Sequence, residues 1–346
     1  MTEPDRVELA PGYSISPVIN GCWQLTPEHG GGPASKSAAL RIFAQQVEQG
    51  FTTFDCADIY TGVESLIGRF RRGLPDPDLI QVHTKIVPDK STLGQLTAGK
   101  VDEVINRSLR RLGMERLDLV QLHWWDSRVP GLELLTERLL LAQQDGRIRL
   151  LGATNFNTGQ IRHLAGLGIH LTSLQAQYSL LDRRPERQMT GLCRNSCVSL
   201  LPYGVLAGGF LSTKYLGAPP PDHMNRSLTK YRLIIDAAGG WESFQDLLGV
   251  LSSIACKHDV PLELVAARWV LDRREVPAVI LGVGTKSRAS RNRALTHIEL
   301  DSEDRRKIQL QLDRHKIPEG DIYDLERDEN GPHSAIIKTD LQHVQE

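Results

Sequence analysis

The sequence of 346 residues has little that would assign it to a specialised class of protein. No apolar run approaches the roughly 20 residues that are needed to cross a bilayer. The acidic, polar stretch from Met1 to Pro11 does not have the layout of a signal peptide. The formal net charge is −1, so no overall field favours nucleic acid or an anionic membrane. These absences predict a cytoplasmic protein that binds neither membranes nor nucleic acids.

Cysteines and phosphate-binding glycine motifs are also scarce. The five cysteines are odd in number and form no CxxC pair. Cys193 and Cys197 are four residues apart, but no histidine or second cysteine pair completes a zinc set. The cysteines are therefore expected to be small buried residues, and no metal site is predicted. The phosphate-binding fingerprints GxGxxG and GxxxxGK[ST] are absent as well.

Short apolar runs alternate with longer helical patterns along the chain, and this alternation is typical of βα units with parallel strands. Hydrophobic residues make up 40% and charged residues 24% of the sequence, which is ordinary for a globular protein. Helices are predicted from Ser37 to Gln49, ended by Gly50, and from Lys100 to Leu112, ended by Gly113. About eight strands are predicted, at residues 18–20, 52–55, 79–84, 117–122, 149–153, 171–175, 198–201 and 277–281.

Eight such units in about 300 residues predict an α/β fold, a closed (β/α)8 TIM barrel rather than an open doubly wound sheet. The sequence contains no linker that would divide it, so residues 1–346 are predicted to form one domain with a core at about 13–300. Residues 7–15 are predicted to form an N-terminal hairpin that turns at Pro11 and Gly12 and caps the bottom of the barrel.

Two segments outside the regular pattern are predicted to form long loops. Between Leu201 and Pro277 the sequence indicates a proline-rich loop followed by two helical stretches. The segment from about Arg314 to residue 346 is polar with a Gly/Asp-rich centre, and it is predicted to be a surface loop.

Polar residues stand where consecutive strands end, and in a barrel these ends converge on one face. Asp55 ends the second strand with Tyr60 in the loop beyond, Lys85 ends the third, and His123 follows the fourth. A lysine cation lowers the pKa of a neighbouring tyrosine, and a carboxylate stabilises that cation. Each residue alone could be a surface or capping residue. Together they favour one site that protonates an oxygen while hydride arrives at its carbon.

The segments around these four residues resemble those of the aldo-keto reductase family. Phe54 to Tyr60 is similar to the family segment F-D-x-A-x-x-Y, and Val82 to Lys85 to its T-K strand end. Asp118 to Trp124 is similar to D-L-x-x-x-H-W. The resemblance implies the following catalytic roles: Tyr60 as the general acid/base, Lys85 as the partner that lowers its pKa, Asp55 as the partner of Lys85, and His123 as the group that orients the carbonyl.

Further segments resemble the family's cofactor-binding motifs, with Cys22 in place of threonine and Thr154 in place of serine. The resemblance implies that Thr154, Asn155 and Gln175 hold the nicotinamide carboxamide. It also implies that Tyr203 stacks on the nicotinamide ring and that Asn292 contacts adenine. The residues implied to contact the cofactor are Cys22, Trp23, Asp55, Thr154, Asn155, Gln175, Tyr203, Gly204, Val205, Leu206, Gly208, Gly282, Lys286, Arg288, Arg291 and Asn292.

Three cations, Lys286, Arg288 and Arg291, lie within six positions at a predicted helix start. This arrangement suits a 2′-phosphate, so NADP(H) is expected rather than NAD(H). The alternative is that the three cations form a solvated helix face. The substrate pocket is expected to be formed by Trp23, Tyr60, His123 and Trp124, with Trp125 as a weaker candidate.

The resemblance implies an NADP(H)-dependent oxidoreductase that interconverts an aldehyde, ketone or sugar carbonyl and an alcohol. It also implies that the loops and the tail from Lys316 set specificity toward this small-molecule partner. Two alternatives stay open. The protein could be a cofactor-binding regulator that resembles the potassium-channel β subunits. It could also be a reductase-like biosynthetic enzyme that catalyses a net non-redox step.

Overall fold

The computed structural model describes residues 5–26, 35–284 and 287–340 of the chain. Within these residues, eight parallel strands follow an antiparallel hairpin. The strands are β1 Val7–Ala10, β2 Tyr13–Ile15, β3 Val18–Gly21, β4 Thr53–Asp55, β5 Gln81–Ile86, β6 Leu117–Leu122, β7 Ile148–Thr154, β8 Ser173–Gln177, β9 Ser199–Tyr203 and β10 Val279–Gly282.

The eight parallel strands form a nearly closed barrel in the order β10-β3-β4-β5-β6-β7-β8-β9. β10 pairs with β3 in register from Val279 opposite Val18 to Gly282 opposite Gly21. On the other side, the amide of Leu200 in β9 donates to the carbonyl of Glu275 just before β10, at 2.7 Å. This topology confirms the predicted TIM barrel.

Helices connect the strands and cover the barrel. α3 shows how the sequence sets their limits, since the Thr97 hydroxyl accepts a hydrogen bond from the amide of Lys100 and Gly113 ends the helix at a φ of 64°. The helices of the described residues are α1 Lys36–Glu48, α2 Val63–Arg72, α3 Ala98–Leu112, α4 Leu132–Gln144, α5 Thr158–Gly166, α6 Met189–Ser196, α7 Arg226–Ala237, α8 Gly240–Lys257, α9 Leu262–Leu271, α10 Ala289–Arg293, α11 Ser302–Leu312 and α12 Asp324–Arg327.

The insert between β9 and β10 contains three helices, so the prediction of two helical stretches is wrong. Ala238 and Gly239 separate α7 from α8, and the φ angles of Gly239 and of Gly240, the first residue of α8, are 132° and 85°, in the region that favours glycine. Pro261 then precedes α9. The two glycines turn the chain, and the residues around them continue as separate helices.

The N-terminal hairpin closes the bottom of the barrel, as predicted. Its buried side chains pack onto residues from the amino-terminal half of the barrel in one apolar cluster. The Tyr13 hydroxyl lies 3.2 Å from Nε2 of His83, which points from β5 into this layer. The cluster consists of Leu9, Tyr13, Ile15, Ile19, Leu119, Leu201, Ala278 and Ile280.

His83 should make the stability of the protein depend on pH. Burial, with a contribution from the Lys85 charge, lowers the pKa of His83 to about 3, whereas an unfolded histidine titrates near about 6.5. Between these two pKa values only the unfolded chain binds a proton at His83. The free energy of unfolding is therefore unaffected by His83 above about pH 6.5, and it decreases by about 1.4 kcal/mol per pH unit as the pH falls toward the folded pKa.

We expect His83→Gln to reduce by that amount the slope of the unfolding free energy against pH, measured by urea unfolding between about pH 6.5 and about pH 4.5. His170→Gln, at an exposed histidine, is the matched control and should leave the slope unchanged. A His83→Gln slope equal to that of the wild type would show that His83 is not held neutral by the fold.

The C-terminal tail packs over the carboxyl-terminal face of the barrel, so the prediction of a surface loop from about Arg314 is wrong for its central part. Ile322, Tyr323 and Glu326 are buried there. The Asp321 carboxylate accepts hydrogen bonds from the amide and hydroxyl of Thr158 at the start of α5, at 2.7 and 2.6 Å. Polar side chains of this segment therefore form hydrogen bonds with residues of the barrel.

The cysteines only partly follow the expectation that they are buried. Cys22, Cys56 and Cys193 are buried, whereas Cys197 and Cys256 are exposed, and all five thiols are free. Cys197 ends α6 with a φ of 54°, which turns the chain out of the helix. Among the described residues, no group of three His, Cys, Asp or Glu side chains could hold a metal ion. No helix in that part of the chain is long and apolar enough to span a membrane.

Candidate active site

A buried ion pair lies at the carboxyl-terminal end of the barrel. Asp55 ends β4 and Lys85 is near the end of the adjacent β5, so the barrel register brings their side chains together. Lys85 Nζ donates to Asp55 Oδ2 at 2.7 Å and to the carbonyl of Cys56 at 2.8 Å. Burial alone would lower the pKa of Lys85, but the charge and hydrogen bond of Asp55 raise it above its usual value. Lys85 is therefore a cation.

Tyr60 lies in the loop after β4, with Lys85 Nζ 5.3 Å from the centroid of its ring. Burial raises the pKa of Tyr60 to about 12, although the Lys85 charge lowers it. The Lys85 charge thus shifts the pKa of Tyr60 downward, as expected, but the upward shift caused by burial is larger. The Tyr60 phenol is consequently protonated at neutral pH and can donate its proton.

His123 follows β6, and its ring is almost fully buried. Nδ1 lies 3.0 Å from the carbonyl oxygen of Thr154. Burial and the nearby charge of Arg327 lower the pKa of His123 to about 3, so the ring is neutral. Because a carbonyl can only accept, Nδ1 carries the hydrogen and Nε2 is an acceptor. Nε2 is buried without a hydrogen-bond partner among the described residues.

Two glutamines connect Asp55 to the neighbouring strands. Gln175 Nε2 donates to Asp55 Oδ1 at 2.7 Å, and Gln121 Nε2 lies 3.2 Å from the same oxygen. The sequence interpretation missed Gln121. The available signal was the alternation of β6, because Gln121 is two residues before His123 and therefore has the same orientation. These amides fix the second carboxylate oxygen while the first binds Lys85.

The residues expected to hold the nicotinamide surround this network. Thr154 ends β7, and the next amide, that of Asn155, donates to the carbonyl of Gln175 at 2.9 Å. Asn155 has a φ of 61°, and its Oδ1 accepts from the hydroxyl of Tyr203 at 2.8 Å. The structure therefore brings together Thr154, Asn155, Gln175 and Tyr203, which come from three adjacent strand ends.

The loop after β9 approaches α7 so closely that only glycine fits at two positions. A Cβ on Gly204 or Gly208 would lie 2.6 or 2.5 Å from the Tyr231 side chain, and both glycines have a positive φ. Val205 between them is buried, and Leu206 is partly buried against the core. At the end of β10, a Cβ on Gly282 would lie 2.8 Å from the Gln24 side chain.

The structure corrects the predicted pocket wall at Trp124. Trp124 is fully buried, and its indole donates to the carbonyl of Val129 at 3.2 Å. The ring that faces His123 belongs to Trp125, edge to face at a centroid distance of 4.3 Å. After β6 ends, the two consecutive residues turn to opposite sides, which the sequence order alone does not reveal. Trp23, in contrast, is 36% exposed, as a residue at the rim of the barrel would be.

Cys22 is unsuited to bind a cofactor through its side chain. The thiol has no exposed surface, and its nearest acceptor is the carbonyl of Asn20 at 3.4 Å. Burial, followed by the charge of Asp55, raises the pKa of Cys22 well above its usual value. The backbone amide of Cys22 is bound to the carbonyl of Asp55 at 2.9 Å. Its role in this structure is to join β3 to the end of β4.

The sequence model of the aldo/keto reductase family matches residues 17–311, which include the Asp55, Tyr60, Lys85 and His123 cluster. The chain belongs to the aldo/keto reductase family. This is a family of oxidoreductases that use nicotinamide cofactors and act on small carbonyl compounds or alcohols.

Two curated relatives show how far this similarity extends. Flagellar radial spoke protein 5 of Chlamydomonas reinhardtii is 31% identical over 264 residues, which cover 64% of this chain and 50% of that protein. The chain thus spans about half the length of that relative. The chloroplastic pyridoxal reductase of Arabidopsis thaliana is 28% identical over 291 residues, or 79% of this chain and 76% of the plant protein.

Among solved structures, a glycerol dehydrogenase from Gluconobacter oxydans superimposes with a TM-score of 0.74 at 23% identity. The match covers 93% of this chain and 98% of the dehydrogenase. At this identity the similarity shows the fold, and it agrees with the barrel of this aldo-keto reductase.

The residues expected to bind the adenosine end of the cofactor are only partly arranged as predicted. Lys286 lies outside the described residues. Arg288 is exposed directly before α10, whereas Nη1 of Arg291 lies 3.2 Å from a carboxylate oxygen of Glu263 and forms an ion pair. Asn292 is buried, and its Oδ1 is without a partner among the described residues. Arg288 forms no ion pair with another described residue, in contrast to Arg291.

Several residues of the reductase site were not predicted because their contacts come from distant parts of the chain. Lys230 of α7 lies with Nζ 3.5 Å from the Tyr203 hydroxyl, and burial lowers its pKa. Arg184 binds Glu326 of the tail across a separation of 142 residues. Arg327 binds the carbonyl of Asn155 across 172 residues. A single sequence contains no local pattern that announces such pairs.

Proposed function

We propose that this aldo-keto reductase interconverts carbonyl compounds and alcohols, with NADP(H) as the hydride carrier and Tyr60 as the general acid/base. The observation that carries the proposal is the protonated Tyr60 phenol beside the Lys85–Asp55 ion pair. A phenol proton next to a fixed cation is suited to neutralise an oxygen that becomes negative, since the cation stabilises the phenolate that remains.

The residues of the barrel mouth fit a nicotinamide cofactor. Thr154, Asn155 and Gln175 supply hydroxyl and amide groups at one place for a carboxamide. Asn292 has an orphaned buried oxygen that can accept from an amino group. When bound, the reduced cofactor supplies a hydride to the carbonyl carbon. Asn155 and Gln175 would hold its carboxamide, and Tyr203 would lie against its ring.

The proton of the reaction comes from the chain. Tyr60 donates its hydroxyl proton to the carbonyl oxygen as the carbon receives the hydride, so that one hydride and one proton together give the alcohol. Lys85 stabilises the Tyr60 phenolate until solvent returns the proton. His123 accepts the new alcohol hydrogen at Nε2, because its Nδ1 hydrogen is already bound to Thr154. The imidazole thereby orients the product hydroxyl, whereas in the reverse direction the substrate hydroxyl donates its hydrogen to the Tyr60 phenolate.

The preference for NADP(H) depends on Arg288 in the described part of the chain. An exposed guanidinium can bind a 2′-phosphate through charge-assisted hydrogen bonds. We expect Arg288→Gln to lower kcat/KM for NADPH about tenfold, in the range of one bond to a charged group, and to leave kcat/KM for NADH within about twofold.

Steady-state kinetics with both cofactors measures this effect. Arg291→Gln is the matched control, since Arg291 already pairs with Glu263 and its loss should change the NADPH to NADH ratio less than that of Arg288. A wild-type enzyme that uses NADH as efficiently as NADPH would contradict the preference.

The proposed function is tested by a screen of aldehydes, ketones, sugars and alcohols, followed through NADPH absorbance. The pyridoxal reductase relative makes aromatic aldehydes a sensible first group. We expect at least one carbonyl to be reduced in a Tyr60-dependent manner, with Tyr60→Phe as the background. A screen in which no compound is turned over faster than by Tyr60→Phe would refute the proposal.

A further inference from the structure

Two buried carboxylates flank Tyr60 along the chain. Asp58 lies before it in the Tyr60 loop, residues 56–62 between β4 and α2, and Glu64 lies after it in the first turn of α2. Both side chains are buried. Burying a carboxylate costs free energy unless it is hydrogen-bonded or paired, so the partners of these two residues indicate what they do.

Asp58 joins the Tyr60 loop to the end of β5, the strand that carries Lys85. Its amide donates to the carbonyl of Lys85 at 3.2 Å, and its Oδ1 accepts from the amide of Val87 at 3.2 Å. Nη2 of Arg107 in α3 lies 3.9 Å from Oδ2 of Asp58. The loop is therefore bound, just before Tyr60, to the backbone that carries Lys85.

Glu64 forms a second connection to the same strand. Its Oε1 accepts from the hydroxyl of Thr84 at 2.7 Å, and Thr84 directly precedes Lys85. Nη1 of Arg111 in α3 lies 3.4 Å from Oε2 of Glu64 and 3.3 Å from the carbonyl of Asp58, so it binds both connections. Side chains alternate along a strand. Thr84 therefore faces the helices while Lys85 faces the barrel mouth, and the two connections lie behind the site.

We propose that Asp58 and Glu64 are positioning residues, which hold the Tyr60 phenol against the Lys85 ammonium through their bonds to β5. This inference rests on the proposed function of Tyr60 as the general acid/base. The phenol must lie where the carbonyl oxygen becomes negative, and a displacement of about 1 Å can lower the rate about a hundredfold. Loss of one connection should therefore slow the chemical step and leave the binding of the cofactor intact.

Thr84→Val removes the hydroxyl that binds Glu64 and keeps the shape of the side chain. With the first carbonyl that the screen identifies, we expect kcat to fall about tenfold, as for one lost bond to a charged group, and KM for the carbonyl and Kd for NADPH to stay within about twofold. Thr84→Ser keeps the hydroxyl and should restore most of kcat. At the other connection, Asp58→Ala should lower kcat more than Asp58→Asn, which keeps an acceptor for the Val87 amide.

A double-mutant cycle separates positioning from a merely structural role. Tyr60→Phe has no phenol to position, so adding Thr84→Val should change its residual kcat by less than about twofold. The matched control is Thr53→Val, since the buried hydroxyl of Thr53 at the start of β4 accepts from the amide of Ser16 at 2.9 Å. It should lower the free energy of unfolding and keep wild-type kcat. An equal loss of kcat from Thr84→Val with and without Tyr60, or no greater loss than in Thr53→Val, would overturn the inference.

Hydrogen exchange tests the two connections without a substrate. Amides of the Tyr60 loop should exchange at least about tenfold faster in Thr84→Val than in the wild type, whereas Thr53→Val should leave their exchange unchanged. If the wild type reduces no carbonyl, the proposed function is contradicted, and this comparison still shows whether the bond to Glu64 holds the loop. Equal exchange of the loop in Thr84→Val and the wild type would overturn the inference whatever the screen finds.

Discussion

Replacing Tyr60 with phenylalanine should lower the turnover of carbonyl compounds by at least about two orders of magnitude, in the range expected for the loss of a general acid. The phenylalanine ring would occupy the position of the Tyr60 ring in the loop after β4, so binding of the cofactor should be largely retained. The decrease should appear in kcat, because the phenol proton is needed only when the carbonyl oxygen becomes negative.

Stopped-flow reduction and NADPH binding by fluorescence measure the two effects separately. Tyr215→Phe is the matched control, because Tyr215 is a buried tyrosine that packs against Phe210 and Trp241, and it should keep wild-type turnover. Near-normal turnover of Tyr60→Phe would remove Tyr60 from its proposed role.

The pKa of Tyr60 gives this prediction a pH dependence. With a pKa of about 12, the acid form is present throughout the neutral range. Reduction should therefore not decrease between about pH 6 and about pH 10, whereas alcohol oxidation, which needs the phenolate, should increase with pH.

Replacing Arg184 with leucine should lower the free energy of unfolding by about 3–5 kcal/mol, the usual cost of removing one partner of a buried ion pair. Arg184 is 1% exposed and lies between Asp182 and Glu326. Burial opposes the ionisation of Glu326, but the charge of Arg184 outweighs this effect and lowers the pKa of Glu326 to about 2. Without Arg184 the two carboxylates stay buried without a cation in contact.

Urea unfolding measures the loss, and limited proteolysis shows whether the tail has been released. Arg187→Leu provides the control, since Arg187 is exposed and, among the described residues, binds the carbonyls of Ile317 and Pro318 in the same tail, at 3.2 and 3.4 Å. It should cost less than about 1 kcal/mol. If Arg184→Leu costs no more than Arg187→Leu, the ion pair does not fasten the tail.

The barrel could be predicted from the sequence because each of its units is local. The β6 strand was predicted at 117–122, its observed position, since an apolar run there follows a helix that ends at Gly113. For β5 and β8, the predicted ranges start and end two residues before the observed strands. Residues 77–79 form a short 3-10 helix before β5, and such turns are not distinguished from strand starts by hydrophobicity.

The cluster of Asp55, Lys85 and His123 was also predictable, because parallel strands bring their carboxyl ends to one face. The environment of each of these side chains could not be predicted. Burial outweighs the Lys85 charge at Tyr60, and burial depends on side chains from every part of the barrel mouth. Likewise, Gln175 was expected at the carboxamide, and the structure shows its amide on Asp55.

The tail could not be predicted because its partners are far away in sequence. Asp321 and Glu326 lie in the segment predicted to be a polar surface loop, yet Asp321 caps α5 across 163 residues and Glu326 binds Arg184. A polar segment that satisfies buried donors has the same composition as one that is in water. Only the folded chain distinguishes the two cases.

The most direct test of the central claim is the stoichiometry of the reaction with the first carbonyl that the screen identifies. NADPH consumed and alcohol formed are measured together over many turnovers, by absorbance and by chromatography of the products. The account predicts one alcohol per NADPH, sustained well beyond one equivalent of enzyme and lost in Tyr60→Phe. Oxidation that stops after a single turnover, as in a cofactor-binding regulator, or product without net NADPH consumption would contradict it.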